Sequence, residues 1–158
     1  MTLQLRPMTD VECDAWQIEL ARVFVEEAVA AGRSMPEDAV ERELTETREL
    51  LPQGASTPRM LVLMAVDADR NPVGRAWAGL DHPRGQPDTA FLYDIEVAAQ
   101  LRGTGLGREL LAAVERAVAD AGVGSLALNV FGNNPTAIGL YDSAGYQTTS
   151  IQMRKSLF

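Results

Sequence analysis

Residues Gln100 to Gly107 read QLRGTGLG, set between a strand-like run, AFLYDIEV (Ala90 to Val97), and a helix-like one, RELLAAVERAVADAG (Arg108 to Gly122). Glycines at alternate positions, Gly103, Gly105 and Gly107, leave backbone N–H groups uncovered by Cβ atoms. The helix that follows adds its own unpaired N–H groups and the positive end of its dipole. Such a strand–loop–helix turn is a cradle for phosphate. Two familiar phosphate loops do not fit. The dinucleotide fingerprint GxGxxG needs glycine where Arg108 stands, and the GxxxxGK loop needs a lysine that is absent. The pattern left is QxxGxG, carried by Gln100, Gly103 and Gly105.

Further along, LNVFGNNPTAIGLYDSAGY (Leu128 to Tyr146) places an asparagine after a strand, then AxxLY, then a small-residue turn closed by Gly and an aromatic. Asn134, Ala137, Leu140, Tyr141, Gly145 and Tyr146 occupy those positions. The two stretches, in this order and joined by one amphipathic helix, resemble the coenzyme A signatures of the GNAT superfamily of N-acetyltransferases. The resemblance covers the C-terminal part of the chain; the N-terminal half agrees in element order. It implies an α+β fold of three α/β layers: a mixed, mostly antiparallel central sheet of about seven strands, with helices on both faces.

The element pattern can be followed along the chain. LQLRPM (Leu3 to Met8) reads as a first strand, and Thr9xxGlu12 is a capping box. Trp16, Leu20, Val23 and Phe24 then recur at helical spacing up to Gly32. Ser34xxGlu37, with Pro36 in the first turn, predicts a second helix that Pro52 and Gly54 end. The aromatics of these helices are assigned to the core. MLVLMAV (Met60 to Val66), the turn DADRNP and VGRAWAGL (Val73 to Leu80) predict a hairpin. After AFLYDIEV and the glycine loop come a helix, the strand SLALNV (Ser125 to Val130), a helix TAIGLYDSA and a final strand pair from Tyr146 to Ser156. The predicted order is β-α-α-β-β-β-α-β-α-β-β.

The 158 residues suit one domain, 1–158, with a single substantial core. No apolar run reaches the ~20 residues of a membrane span, and the N-terminus has no secretory pattern. A cytoplasmic protein without a membrane partner is the expectation. Cys13 and His82 are single representatives of their types, so neither an internal disulfide nor a Cys/His metal cluster is expected. The net charge of -8 argues against a nucleic-acid partner, because phosphate contacts need clustered Lys and Arg. Arg102 and Arg108 flank the glycine loop, and this local pair suits a small anionic ligand.

The resemblance carries implications for individual residues. Acetyl-CoA is the implied cosubstrate, with no metal. Its implied contacts are Ile95, Val97, Ala99, Arg102, Gly103, Thr104, Gly105, Leu106, Gly107, Arg108, Asn129, Asn134, Ala137 and Tyr141, the pantetheine arm lying where AFLYDIEV parts from SLALNV. The Val97 N–H is the implied donor to the acetyl oxygen, and Tyr141 the implied general acid toward the departing thiol. Asn134 would hold the pantetheine or position the next helix. Strand alternation sends Tyr93, Ile95 and Val97 to one face and Asp94 and Glu96 to the other. Glu96 is a candidate general base and Asp94 a second, acceptor-orienting one; alternatively either carboxylate pairs with an arginine such as Arg75 across the sheet. The acceptor is a small-molecule or peptide amine, and a homodimer is open. The function class read against this one is a non-catalytic acyl-CoA sensor.

Overall fold

The computed structural model describes residues 2–158. Its sheet has five strands in the spatial order β1-β2-β3-β4-β5. These are β1 (Gln4–Pro7), β2 (Met60–Val66), β3 (Pro72–Gly79), β4 (Thr89–Val97) and β5 (Ser125–Leu128). The first three pairings are antiparallel and β4–β5 is parallel. Four helices accompany them: α1 (Asp10–Ala30), α2 (Ala39–Leu50), α3 (Leu106–Asp120) and α4 (Pro135–Ser143).

Helices cover both faces because the strands alternate. On one face Trp16 and Cys13 of α1 pack with Val62 and Trp77; the two indole rings meet edge to face at 5.5 Å. On the other, Leu110, Leu111, Val114 and Val118 of α3 fill a cluster with Ala76, Ala78, Ala90 and Leu92. The alanines let the α3 leucines approach the sheet backbone. Gly74 leaves no room for a side chain: an added Cβ would lie 2.9 Å from the Glu96 carbonyl and 3.1 Å from Leu110 Cδ2. β3, β4 and α3 therefore converge beside the end of β4 that carries the acidic residues.

The fold class agrees with the sequence reading, and several boundaries differ for physical reasons. Thr9 and Glu12 form the capping box of α1, but Ser34 caps nothing. A turn closed by Ala39 N–H to Pro36 O precedes α2, whose N-cap position is held by Asp38. The sheet has five strands rather than about seven, because the expected pair from Tyr146 to Ser156 does not form. Tyr146 N–H bonds back to Tyr141 O and closes the end of α4. Beyond it residues 147–158 are exposed and join no ladder. The strand-like alternation there, Ile151 and Met153 followed by Leu157, has no sheet partner to decide its geometry.

Candidate active site

β4 and β5 pair only from Thr89↔Ser125 to Leu92↔Leu128. Past that point β5 ends and β4 continues for five residues, Tyr93–Val97, bonded to β3 alone. The two strands part where the sequence reading placed the gap. Ala98 N–H donates to Val73 O of β3 at 2.9 Å. Successive N–H groups of an extended chain point to opposite edges, so the Val97 N–H faces the opened side.

A register shift between Trp77 and Ala78 leaves Tyr93 as an extra residue between the pairs Ala78↔Leu92 and Trp77↔Asp94. This bulge re-phases the strand. Tyr93 stacks on Trp77 at 4.2 Å on the α1 side. Asp94, the next residue, stays on that side, accepting from Trp16 Nε1 at 2.9 Å. Ile95 and Val97 pack with the α3 cluster. The expected grouping of Tyr93 with Ile95 and Val97 is thereby corrected, since one inserted residue inverts every side chain beyond it.

Both carboxylates meet Arg75, the cross-strand arrangement that the sequence had left as the alternative to a catalytic role. Arg75 sits opposite Glu96 in the ladder. Its guanidinium reaches Asp94 Oδ2 at 3.1 Å, Glu96 Oε2 at 2.5 Å and Glu19 Oε2 of α1 at 2.9 Å. The second Glu96 oxygen takes Arg102 Nη2 at 2.6 Å. Burial pushes the Asp94 carboxyl above its ordinary value, against the opposing pull of Arg75 and of the Trp16 hydrogen bond. Glu27 of α1 is raised too, by burial and then by the Glu96 and Asp94 charges. Trp16, Glu19 and Glu27 were not singled out from sequence as site residues. Trp16 joins Asp94 across 78 positions, and no local pattern signals a contact of that range.

The glycine loop is a short 3-10 turn, Ala99–Leu101, then Arg102 to Gly105, with α3 opening at Leu106. Gly103 has φ of +78° and Gly105, the N-terminal cap, +84°. A Cβ at either would meet nothing within 4 Å, so the glycines serve backbone conformation and an open cradle rather than internal packing. Gly107 and Arg108 lie in the first turn of α3, which opens at Leu106, two residues before the expected start at Arg108. Thr104 turns its hydroxyl back to Leu101 O at 2.6 Å, and Arg108 reaches Ser143 Oγ of α4.

Asn134 caps α4, its Oδ1 accepting from Ala137 N–H at 3.1 Å; of the two roles implied for it, this is helix positioning. α4 carries Tyr141, half-buried, its ring edge to face with Tyr146 at 5.7 Å. Burial raises the Tyr141 hydroxyl above its ordinary value and the Asp94 charge raises it further. Tyr141, Leu128 and Asn129 line a cavity of about 1390 Å³, with Phe24 and Phe131 in its wall. Phe24, read as core from its spacing, is half-buried and packs on Phe131 at 5.8 Å. Among the described residues no helix is long and apolar enough to cross a membrane, and no three His, Cys, Asp or Glu side chains group as a metal site.

A parted parallel pair above a left-handed glycine cap, with a tyrosine on the following helix, agrees with a match to the Acetyltransferase (GNAT) family over residues 14–146. The chain belongs to that family. It is similar to YycN of Bacillus subtilis, named an uncharacterized N-acetyltransferase, at 34% identity over 99% of this chain and all of that one. A second B. subtilis protein of the same description, YdgE, is 28% identical over 99% of both. The crystal structure of YycN superposes with a TM-score of 0.90 at 32% identity, covering 99% of each chain. The GNAT chain described here is thus an acyltransferase enzyme by family, with the mixed α+β fold of its relatives.

Proposed function

We propose that this GNAT enzyme moves an acetyl group from acetyl-CoA to a primary amine, of a small molecule or of a protein N-terminus or lysine, by direct attack in a ternary complex. The observation that carries the reading is the parting of β4 from β5 beside the open glycine cradle. A structure of AAC(6')-Iy holds a bisubstrate analog joining CoA to an acetylneamine. The amine class of the acceptor is proposed for this chain by analogy with that complex.

Acetyl-CoA, when bound, supplies the activated acyl group and a thiol leaving group. Gly103, Thr104 and Gly105, with Leu106, Gly107 and Arg108 of the first α3 turn, present N–H groups to the diphosphate. Ile95, Val97 and Ala99 border the open edge of β4, with Asn129 and Ala137 opposite. The Val97 N–H donates to the acetyl carbonyl oxygen as charge develops there, a role whose loss costs on the order of 10²–10³ in rate. Tyr141 gives its proton to the departing sulfur; a phenol, with an ordinary value near 10, carries its proton at neutral pH. Glu96, the more exposed of the two β4 carboxylates, takes the amine proton directly or through water. Asp94 orients the acceptor. The reading carries with it a single domain and a cytoplasmic location.

The test is release of free thiol from acetyl-CoA across a panel of small amines, peptide N-termini and lysine peptides, beside binding of desulfo-coenzyme A. Turnover with at least one amine class is expected. Desulfo-coenzyme A binding without turnover for any amine would leave acyl-CoA sensing instead, and absence of binding would remove both.

A further inference from the structure

Arg75 and Arg102 hold the two oxygens of Glu96 in different ways. Arg75 is 14% exposed and tied to three carboxylates, Glu19, Asp94 and Glu96. It cannot leave without stranding buried charge. Arg102 is 60% exposed, and its ion pair is with Glu96 alone. It stands immediately before Gly103, at the mouth of the cradle. One side chain therefore lies between the carboxylate that would take the amine proton and the loop that would take the diphosphate.

We propose that Arg102 is a two-position side chain, paired with Glu96 when the cradle is empty and turned to the diphosphate when it is filled. The proposal rests on the acetyl-CoA reading above. A solvent-exposed single pair is weakly held. A diphosphate offers more charge and a geometry that suits the guanidinium fork, so it wins the exchange. When Arg102 swings away, Glu96 Oε1 is released while Arg75 continues to fix Oε2. The proton acceptor becomes available only with the acetyl donor in place. Arg102 then acts on the reaction as a positioning residue, through Glu96.

Coupling of this kind is reciprocal. Removing the Glu96 charge must free Arg102 and tighten the diphosphate, although the same change removes the proton acceptor. Calorimetry of desulfo-coenzyme A binding to the full chain at low salt reads this directly. Glu96→Gln is expected to bind about 2- to 5-fold tighter than the unaltered chain, the scale of an exposed ion pair. Arg102→Gln should bind more weakly, and Arg102→Gln with Glu96→Gln should match Arg102→Gln alone. Pantetheine, which lacks the diphosphate, should bind all four equally. Glu96→Asp, which withdraws the carboxylate from Arg102 while keeping a charge for Arg75, should also tighten binding and serves if the glutamine variant folds poorly. Unchanged or weaker binding by both Glu96 variants would overturn the proposal. So would equal tightening in the Arg102→Gln background, which would mark general repulsion of an anion. Failure of the unaltered chain to bind desulfo-coenzyme A would refute the cofactor reading itself.

Discussion

The two halves of β4 belong to one nine-residue strand and face opposite demands. From Thr89 to Leu92 it pairs with β5, Phe91 and Leu92 pair with β3 as well, and Ala90 and Leu92 are buried against α3. From Tyr93 to Val97 it is paired on one edge and carries two carboxylates held by half-buried Arg75. A single bulge at Tyr93 separates the two regimes. The first half is ordinary core. The second keeps an unpaired edge and ionised groups together, an arrangement that apolar packing would replace if stability alone mattered.

The comparison can be broken most directly by removing the charge that holds the second half. Arg75→Met leaves Asp94 and Glu96 without their shared cation, and a loss of about 3–5 kcal/mol is expected in urea unfolding at neutral pH. The Asp94 carboxyl already has a raised proton affinity in the folded state, and without Arg75 it should rise further. Folding of the variant then takes up protons, so the loss should shrink as pH falls toward 5. Leu92→Ala in the first half should cost about 2–5 kcal/mol, the range for a buried leucine, with no such pH dependence. Equal pH profiles for the two variants would show that the halves do not differ in kind.

Function is the second axis of the contrast. Tyr141→Phe keeps the ring on Tyr146 and removes the hydroxyl. Turnover is expected to fall about 10- to 10³-fold with acetyl-CoA affinity nearly unchanged, because a thiolate is a fairly good leaving group and gains only moderately from protonation. Lower affinity at unchanged turnover would make Tyr141 a binding or packing residue.

The parts of this arrangement differ in how far sequence reveals them. The capping box at Thr9 and Glu12, the β2–β3 hairpin and the glycine cap of α3 are local patterns, and each forms where its residues stand. The bulge at Tyr93 is not local. It falls where Tyr93 stacks on Trp77 of β3, and nothing in LYDIE distinguishes it from a regular alternation. Trp16 is legible as a core residue from its spacing, whereas its hydrogen bond to Asp94 depends on how α1 crosses the sheet. The missing strands after Tyr146 fail in the opposite sense. Their alternation is present in the sequence, yet residues 147–158 pair neither with the free edge of β5 nor with one another.

A smaller effect sharpens the comparison at the glycine cradle. Gly105→Ala places a side chain at φ of +84°, where nothing nearby crowds it. The cost is then backbone strain alone, about 1–2 kcal/mol in thermal or urea unfolding. Binding of desulfo-coenzyme A should fall, because the new methyl enters the space the diphosphate needs. A destabilised variant that binds as tightly as the unaltered chain would detach the left-handed cap from ligand recognition.

The smallest expected effect compares Asp94 with another carboxylate held by an arginine. Glu12 receives both Arg6 guanidinium nitrogens, at 2.8 and 3.0 Å, and accepts from the Thr9 N–H. These contacts hold its proton affinity down to about 2, overcoming the smaller effect of burial. At Asp94 burial prevails over a guanidinium and the direction is upward. The same ion-pair chemistry therefore acts on stability with opposite sign. Glu12 favours the folded state above the carboxylate's unfolded value, near 4.3, and loses that contribution as pH falls toward 2. Asp94 favours it at low pH and loses its contribution as pH rises through its folded-state value. Glu12→Gln keeps an acceptor for the Thr9 N–H and removes only the charge. With Arg6 partly exposed, the expected loss is about 1 kcal/mol at pH 7. It should fade between pH 4.5 and 2 in parallel unfolding series. A difference that persists at pH 2 would assign the stabilisation to cap geometry rather than to the ion pair, and would remove the contrast in sign between Glu12 and Asp94.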